Sequence, residues 1–116
     1  LGRISRPATA VVVSPAGLFA AFGESRALVV TELDGDVRWR HPVNGTVVAI
    51  AWAPYPTYIA YIVNRGRGHD LRLMWANGTH DRLFASDVSA TAPTWNRETT
   101  ALTFTTREGR RVTRAR

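Results

Sequence analysis

Six basic side chains fall in two short segments of the sequence and offer its clearest chemistry. The segment "NRGRGHD" (64–70) holds three of them and "REGRR" (107–111) holds the rest: Arg65, Arg67, His69, Arg107, Arg110 and Arg111. Clustered cations attract anionic ligands. If the fold brings both segments to one face, they predict an anion-binding surface. The alternative is a solvated, mobile loop, because Gly66 and Gly68 permit free movement as well as close approach to a ligand.

Other kinds of site chemistry are not indicated. The three histidines (His41, His69 and His80) lie in different segments without metal-ligand spacing, and the chain has no Cys. No Gly-x-Ser-x-Gly motif is present, and Ser14 belongs to a Ser-Pro pair in an expected turn. We therefore predict no metal, no cofactor and no catalysis by this chain alone.

The four tryptophans separate into two pairs. Trp52 and Trp95 occupy equivalent positions in a repeated pattern, so we expect them to fill the core. Trp39 and Trp75 lie near the Asp-Gly and Asn-Gly turns, where an aromatic side chain either covers the sheet or anchors a partner. Trp75 is therefore a candidate binding residue.

These residues are set in a sequence that repeats itself three times. The similar segments are "SPAGLFAAF" (14–22), "APYPTYIAY" (53–61) and "NRETTALTF" (96–104), which begin 39 and then 43 residues apart. The longer interval contains the longer loop, 64–70. A period of about 40 residues is typical of the blades of a β-propeller, each of which has four antiparallel strands.

The composition of each repeat favours strands. Short runs of Val, Ile, Thr and aromatic residues are broken by Pro, Gly, Asn and Asp. In the second repeat the strands are predicted at 46–54, 57–64, 70–76 and 80–86, and Asn77-Gly78 predicts a two-residue hairpin turn. The fold class is therefore all-β. A β-sandwich could use the same strands but would not require the repeat.

We expect one domain, 1–116, made of three blades. Blade 1 covers about 8–42, blade 2 about 46–86, and blade 3 about 90–116, completed by a strand at 2–6 that removes an exposed edge. Three blades are too few for a usual ring, which has four to eight. Either two chains form a homodimeric six-bladed ring, or the chain is part of a longer propeller. It begins at Leu1 rather than Met, which we interpret as processing or cutting of a longer sequence.

The repeats resemble those of the TolB-type propeller, in which a Trp-Ser-Pro-Asp-Gly turn precedes an Ile-Ala-Phe strand and an outer strand ends in Asp-Gly. The turn corresponds to "VSPAG" (13–17), "WAPYP" (52–56) and "WNRET" (95–99), the strand to "FAAF", "IAYI" and "LTFT", and the ending to "LDG" and "ANG". The turn's Asp is replaced by Ala16, Tyr55 and Arg97. The resemblance implies a WD-like propeller scaffold in a bacterial periplasmic or other extracytoplasmic setting, without implying TolB's own partners.

The charge and the absence of long apolar segments narrow the partners. All 15 basic residues apart from histidine are Arg, and the net charge is +6; this reflects either a GC-rich genome or a polyanionic partner. We expect a protein partner or an anionic ligand. Nucleic acid is not favoured, because the basic loops lack interleaved aromatics and no helix is available to enter a groove. No segment of the chain is apolar enough to span a membrane.

Two functions remain open at this point. The first is a non-enzymatic binding or scaffold module that presents a basic loop face. The second is the gating or positioning propeller of a larger hydrolase or lyase whose catalytic residues lie elsewhere.

Overall fold

A computed structural model describes residues 11–55 and 57–116, and these form strands and turns without a helix. The all-β fold class is confirmed. The predicted strand at 2–6 lies outside the described residues. In chain order the strands are β1 (Val12–Val13), β2 (Phe19–Glu32), β3 (Val37–Trp52), β4 (Tyr58–Asn64), β5 (His69–Trp75), β6 (Arg82–Ser86), β7 (Thr94–Trp95), β8 (Ala101–Thr105) and β9 (Arg111–Ala115).

The strands form two antiparallel sheets. One has the order β1-β2-β3-β4-β5-β6, and the other has the order β7-β8-β9. Each strand pairs with its sequence neighbour, as expected for a chain that runs up and down through short turns.

Strand β2 folds back on itself. A straight strand from Phe19 to Thr31 would be about 40 Å long. However, Thr31 pairs with the residue before Arg38, and the Arg38 guanidinium lies only 5.2 Å from the centre of the Phe19 ring. The reversal falls at Arg26, where φ is 68° and the register shifts. β2 therefore supplies two adjacent arms, as the repeat predicts for the middle strands of a blade.

Strand β3 connects two groups of strands. Its first part, up to Pro42, pairs with β2, and its second part, from Thr46, pairs with β4. Gly45 lies between these parts with φ 145°. A Cβ atom at this position would overlap the carbonyl oxygen of Asn64. Only glycine fits this link without moving the backbone of β4.

The chain thus forms three layers of strands, and an apolar core lies between each two neighbouring layers. Layer 1 contains β1, β2 and the first part of β3; layer 2 contains the second part of β3 with β4, β5 and β6; layer 3 contains β7, β8 and β9. Alternation along β4 directs Tyr61 and Val63 into the first core and Ala60 and Ile62 into the second. Layer 2 is therefore apolar on both faces. That each layer is one propeller blade remains our proposal.

Buried side chains from neighbouring layers meet in both cores. In the first core, Leu28 and Val30 of layer 1 join Ile50 and Met74 of layer 2. The second core consists mainly of Leu71, Leu73, Phe84, Leu102 and Phe104. Complete burial of one such side chain contributes about 1.5–3 kcal/mol. Contact between layers is therefore a main source of stability.

The predicted two-residue turn at Asn77-Gly78 is wrong in its geometry. Trp75 bonds through its carbonyl to the Gly78 amide (3.0 Å) and through its amide to the Thr79 carbonyl (2.8 Å). Of the two turn residues only Gly78 has a positive φ, 90°. This is the longer kind of hairpin, in which a tight turn is followed by a left-handed residue. Strand β6 begins at Arg82, after His80, whose φ is 63°.

The basic C-terminal segment is a strand, as predicted. β9 pairs with β8 from Ala101↔Ala115 to Thr105↔Arg111. Among the described residues, the other side of β9 has no strand beside it. Arg114 holds β9 to layer 2 by donating to the Phe84 carbonyl at 2.8 Å.

Candidate functional site

Three of the six predicted basic residues line one cleft between layers 2 and 3, which we call the basic cleft. Arg67 and His69 come from the loop between β4 and β5, and Arg107 comes from the turn between β8 and β9. The volume of the cleft is about 370 Å³. Its remaining walls are Asn64, Gly66, Gly68, Val88, Ser89 and Ala90.

Backbone hydrogen bonds hold the walls of the basic cleft in place. The loop is closed by the Arg65 amide, which donates to the Gly68 carbonyl at 3.0 Å. The amide of Val88 donates to the carbonyl of His69 (3.1 Å), and the amide of Arg107 donates to the carbonyl of Asp87 (2.9 Å). The segment 87–88 therefore joins both basic loops, so their relative position is fixed by main-chain contacts.

The remaining predicted basic residues lie outside the lining of this cleft. Arg110 is exposed in the turn before β9, where its carbonyl accepts from the Thr106 amide at 2.7 Å. Arg111 is exposed at the start of β9. Arg65 lies against a different cleft, and its Nε donates to Oδ2 of Asp70 at 2.7 Å. The structure thus brings together half of the predicted set.

Trp75 is well separated from the basic cleft. It ends β5 while His69 begins it, and six residues of strand span about 20 Å. Trp75 is 42% exposed and stacks on His80 with ring centres 3.7 Å apart. It lines a shallow hollow together with Thr57 and Tyr58.

A second cleft lies between layers 1 and 2, and we call it the Asp81 cleft. Its volume is about 350 Å³. It is lined by Pro42, Val43, Asn44, Tyr61, Val63, Arg65, Asp70, Arg72 and Asp81. Apart from Asn44 of β3, the polar residues come from β4, β5 and the adjoining turns, and the apolar wall comes mostly from β3. The sequence analysis did not select Tyr61, Arg72 or Asp81.

Asp81 is the hub of a hydrogen-bond network in this cleft. Its Oδ1 accepts from the hydroxyl of Tyr61 at 2.7 Å and from Nε of Arg72 at 3.1 Å. Its Oδ2 lies 3.2 Å from both Arg72 Nε and His41 Nε2. The network joins layer 1, through His41, to layer 2.

The network changes the acidity of its members. Burial opposes ionisation of Asp81, but the hydrogen bonds from Tyr61 and Arg72 and the charge of Arg72 outweigh it, so the pKa of this carboxyl is lowered. Burial, the hydrogen bond to Asp81 and the negative charge of Asp81 together raise the pKa of Tyr61 well above its ordinary value. The Tyr61 hydroxyl therefore keeps its proton and donates a hydrogen bond to the ionised carboxylate of Asp81.

Neither a metal cluster nor a membrane-spanning helix was found in the part of the chain that the structure describes. No three His, Asp or Glu side chains in residues 11–55 and 57–116 are grouped so that they could hold a metal ion. None of these residues forms a helix long and apolar enough to cross a membrane.

The layered fold is that of a β-propeller. No protein-family model matches the sequence, and no curated protein matches it. Among solved structures, the β-propeller domain of Cps50 (Swd1) from Myceliophteria thermophila is similar with a TM-score of 0.69 and 16% identity, covering 98% of this chain and 40% of that one. The tricorn protease is similar with a TM-score of 0.63 and 17% identity, covering 82% of this chain and 10% of that one.

These likenesses confirm the predicted β-propeller architecture, with the chain corresponding to part of a propeller. It spans less than half of either solved chain. At this level of identity the comparison concerns the fold alone.

Proposed function

We propose that this chain is a non-enzymatic binding module, part of a TolB-like propeller, whose basic cleft holds an acidic group of a protein partner. The observation that carries this proposal is the convergence of Arg67 and Arg107 on one cleft from two different layers. A guanidinium pair can bind a carboxylate through several charge-assisted hydrogen bonds.

Both arginines are available for a ligand. Among the residues that the structure describes, neither the Arg67 nor the Arg107 guanidinium has a hydrogen bond or an ion pair. By contrast, Arg40 is paired with Glu24, and Arg65 with Asp70. Unpaired like charges repel each other across the cleft, and an anionic ligand relieves this repulsion.

The lining of the basic cleft favours an acidic protein segment over nucleic acid. Among its described residues none is Phe, Tyr or Trp, and His69 supplies the one aromatic ring. Single-stranded nucleic acid usually needs aromatic faces on which bases stack. A carboxylate requires only the donors that are present.

The proposal is tested by fluorescence anisotropy with a labelled polyglutamate peptide as the probe. The double variant Arg67→Ala/Arg107→Ala removes the cleft donors. The matched control Arg110→Ala/Arg111→Ala removes the same charge from exposed positions outside the cleft lining. We expect about tenfold weaker binding in the cleft variant, which corresponds to about 1.4 kcal/mol, and a much smaller change in the control. Equal losses in both variants would show general charge attraction and contradict a cleft.

The alternative function is a propeller that gates or positions substrate for a larger hydrolase or lyase. It is favoured by one observation, the structural likeness to a segment covering 10% of a chain named as a protease. A reading frame that continues from this sequence into a catalytic domain would support this alternative over the binding module.

We also propose an extracytoplasmic location, on the basis of the TolB resemblance. Fractionation of source cells with an antibody against this chain tests it. Recovery with cytoplasmic markers would contradict the proposal.

A further inference from the structure

The Asp81 cleft contains a buried acceptor that the fold leaves unused. Asp70 is 7% exposed, and its Oδ2 accepts from Nε of Arg65. Its Oδ1 is buried without a hydrogen-bond partner among the described residues. Buried polar atoms are nearly always paired in folded proteins, so an unpaired carboxylate oxygen at a cleft indicates a missing donor.

Unused donors lie in the same cleft. Arg72 uses its Nε to bond both oxygens of Asp81. Within the described part of the chain, neither of its terminal nitrogens has an acceptor in good hydrogen-bond geometry, although the guanidinium also interacts with the Tyr61 hydroxyl. Asp81 fixes the guanidinium in place and leaves these terminal N–H groups free to bind an acceptor. Asp81 is thus a positioning residue for Arg72.

The charges of the cleft restrict the ligand. Two carboxylates, Asp70 and Asp81, are balanced by two guanidinium groups, Arg65 and Arg72. A ligand with a large net charge would therefore be unfavourable, whereas a ligand with separated charges can satisfy both unused groups. The other wall includes Pro42, Val43 and Val63, which suits a small apolar side chain.

We propose that the Asp81 cleft binds a zwitterionic α-amino acid with a small apolar side chain. Its ammonium group donates to Asp70, and its carboxylate accepts from the terminal nitrogens of Arg72. The Arg65 guanidinium, which bonds Oδ2 of Asp70 in the present structure, swings aside when the ligand enters. The Arg65 side chain is 41% exposed, so its guanidinium can rotate away while the backbone of the loop keeps its position. This site is independent of the basic cleft.

The volume of the cleft agrees with this size of ligand. About 350 Å³ is at the lower end of the range usual for small-molecule sites. The walls come from two layers, and small-molecule sites frequently lie between packed elements of this kind.

Isothermal titration calorimetry of the full chain tests the proposal, with L-valine as the probe. N-acetylvaline lacks the ammonium group and valine amide lacks the carboxylate, so we expect each to bind at least about tenfold more weakly than valine. The same comparison shows which charged groups of the ligand the cleft recognises. Equal binding of valine and N-acetylvaline would show a simple anion site and overturn the proposal, and equal binding of valine amide would mean that Arg72 holds no carboxylate.

Three variants complete the test. Asp70→Asn is expected to weaken valine binding by about tenfold or more, while Glu108→Gln, an exposed control, leaves it unchanged. If Asp70→Asn does not fold, Arg65→Ala is measured instead, because Arg65 pairs with Oδ2 of Asp70 and so competes with the ammonium group of the ligand; we expect valine binding to be kept. Absence of measurable valine binding by the intact chain, or loss of binding in Arg65→Ala, would overturn the proposal.

Discussion

Trp95 makes the same contact as Trp52, one repeat further along the chain. Nε1 of Trp52 donates to the carbonyl of Val12 at 2.9 Å, and Nε1 of Trp95 donates to the carbonyl of Ala51 at 3.1 Å. Each acceptor immediately precedes the equivalent position of the previous repeat, since Val13, Trp52 and Trp95 correspond. Each indole therefore ties one layer to the layer before it. The repeat in the sequence is thus also a repeat of an interlayer bond.

The first prediction concerns these two indoles. Trp52→Phe and Trp95→Phe should each lower the free energy of unfolding by about 1–3 kcal/mol, because each leaves a carbonyl without its donor. Urea unfolding followed by far-UV circular dichroism measures the loss. Trp75→Phe is the control, since Trp75 is 42% exposed. An equal cost for Trp75→Phe would contradict the role of the interlayer bond.

The second prediction concerns Tyr61. Tyr61→Phe keeps the buried ring but removes the hydroxyl that donates to Asp81 at 2.7 Å. Hydrogen bonds to charged groups contribute about 1.5–3 kcal/mol, so we expect a loss in that range. Tyr55→Phe removes a hydroxyl from a residue that is 65% exposed and should leave stability nearly unchanged. Similar midpoints for Tyr61→Phe and the wild type in urea would show that the network adds no stability.

The third prediction concerns pH. The pKa of Asp81 is lowered from 3.8 on folding, so its contribution is fully present above that value and is lost as the pH falls through the folded pKa. The pKa of Tyr61 is raised from 10.0, so its contribution is present below that pH and is lost as the pH rises further. The free energy of unfolding, measured from below pH 3.8 to above pH 10.0, should therefore fall at both ends of this pH range. Asp81→Asn should reduce both losses, and an unchanged pH profile would contradict this assignment.

The fourth prediction concerns the link between layers 1 and 2. Gly45→Ala combines an unfavourable φ of 145° with overlap against Asn64, and we expect a loss of about 3 kcal/mol or more. Gly35→Ala is the control, because Gly35 has φ 101° but nothing within 4 Å of the added methyl group. It should cost only about 1 kcal/mol. Thermal melting of both variants measures the difference. Equal shifts would mean that the close approach at Gly45 relaxes freely.

The fifth prediction concerns assembly. If two chains close a six-bladed ring, light scattering across a dilution series should give twice the mass of one chain, 12.8 kDa. Deletion of residues 1–6 should then lower stability and expose an edge that aggregates. A monomer that aggregates on concentration would instead favour a piece of a longer propeller.

The structure was most predictable from the sequence where the interactions that determine it are repeated or local. The equivalence of Trp52 and Trp95 was visible as spacing alone, and both indoles make interlayer contacts. The separation of Trp75 from His69 could also have been derived, because six extended residues cover about 20 Å.

The Asp81 network was not predictable from local pattern. It joins Tyr61, Arg72 and Asp81 of layer 2 to His41 of layer 1, and these four residues are far apart in the sequence. The separation of Arg65 from Arg67 was missed for a different reason. Residues two apart share a face in a strand, but this rule does not hold in a loop, and these two side chains line different clefts.

If two chains pair through the side of β9 that has no strand beside it among the described residues, this pairing is sensitive to ionic strength. Arg110 and Arg111 are exposed beside this edge, so two such edges repel each other in dilute buffer. At 0.1 M salt, charges are screened beyond about 10 Å, and two edges can approach more easily. The proposed binding of an acidic peptide to the basic cleft should weaken under the same condition, because there the charges attract. Added salt should therefore strengthen pairing of these edges and weaken binding of an acidic partner. A single salt titration distinguishes the two processes.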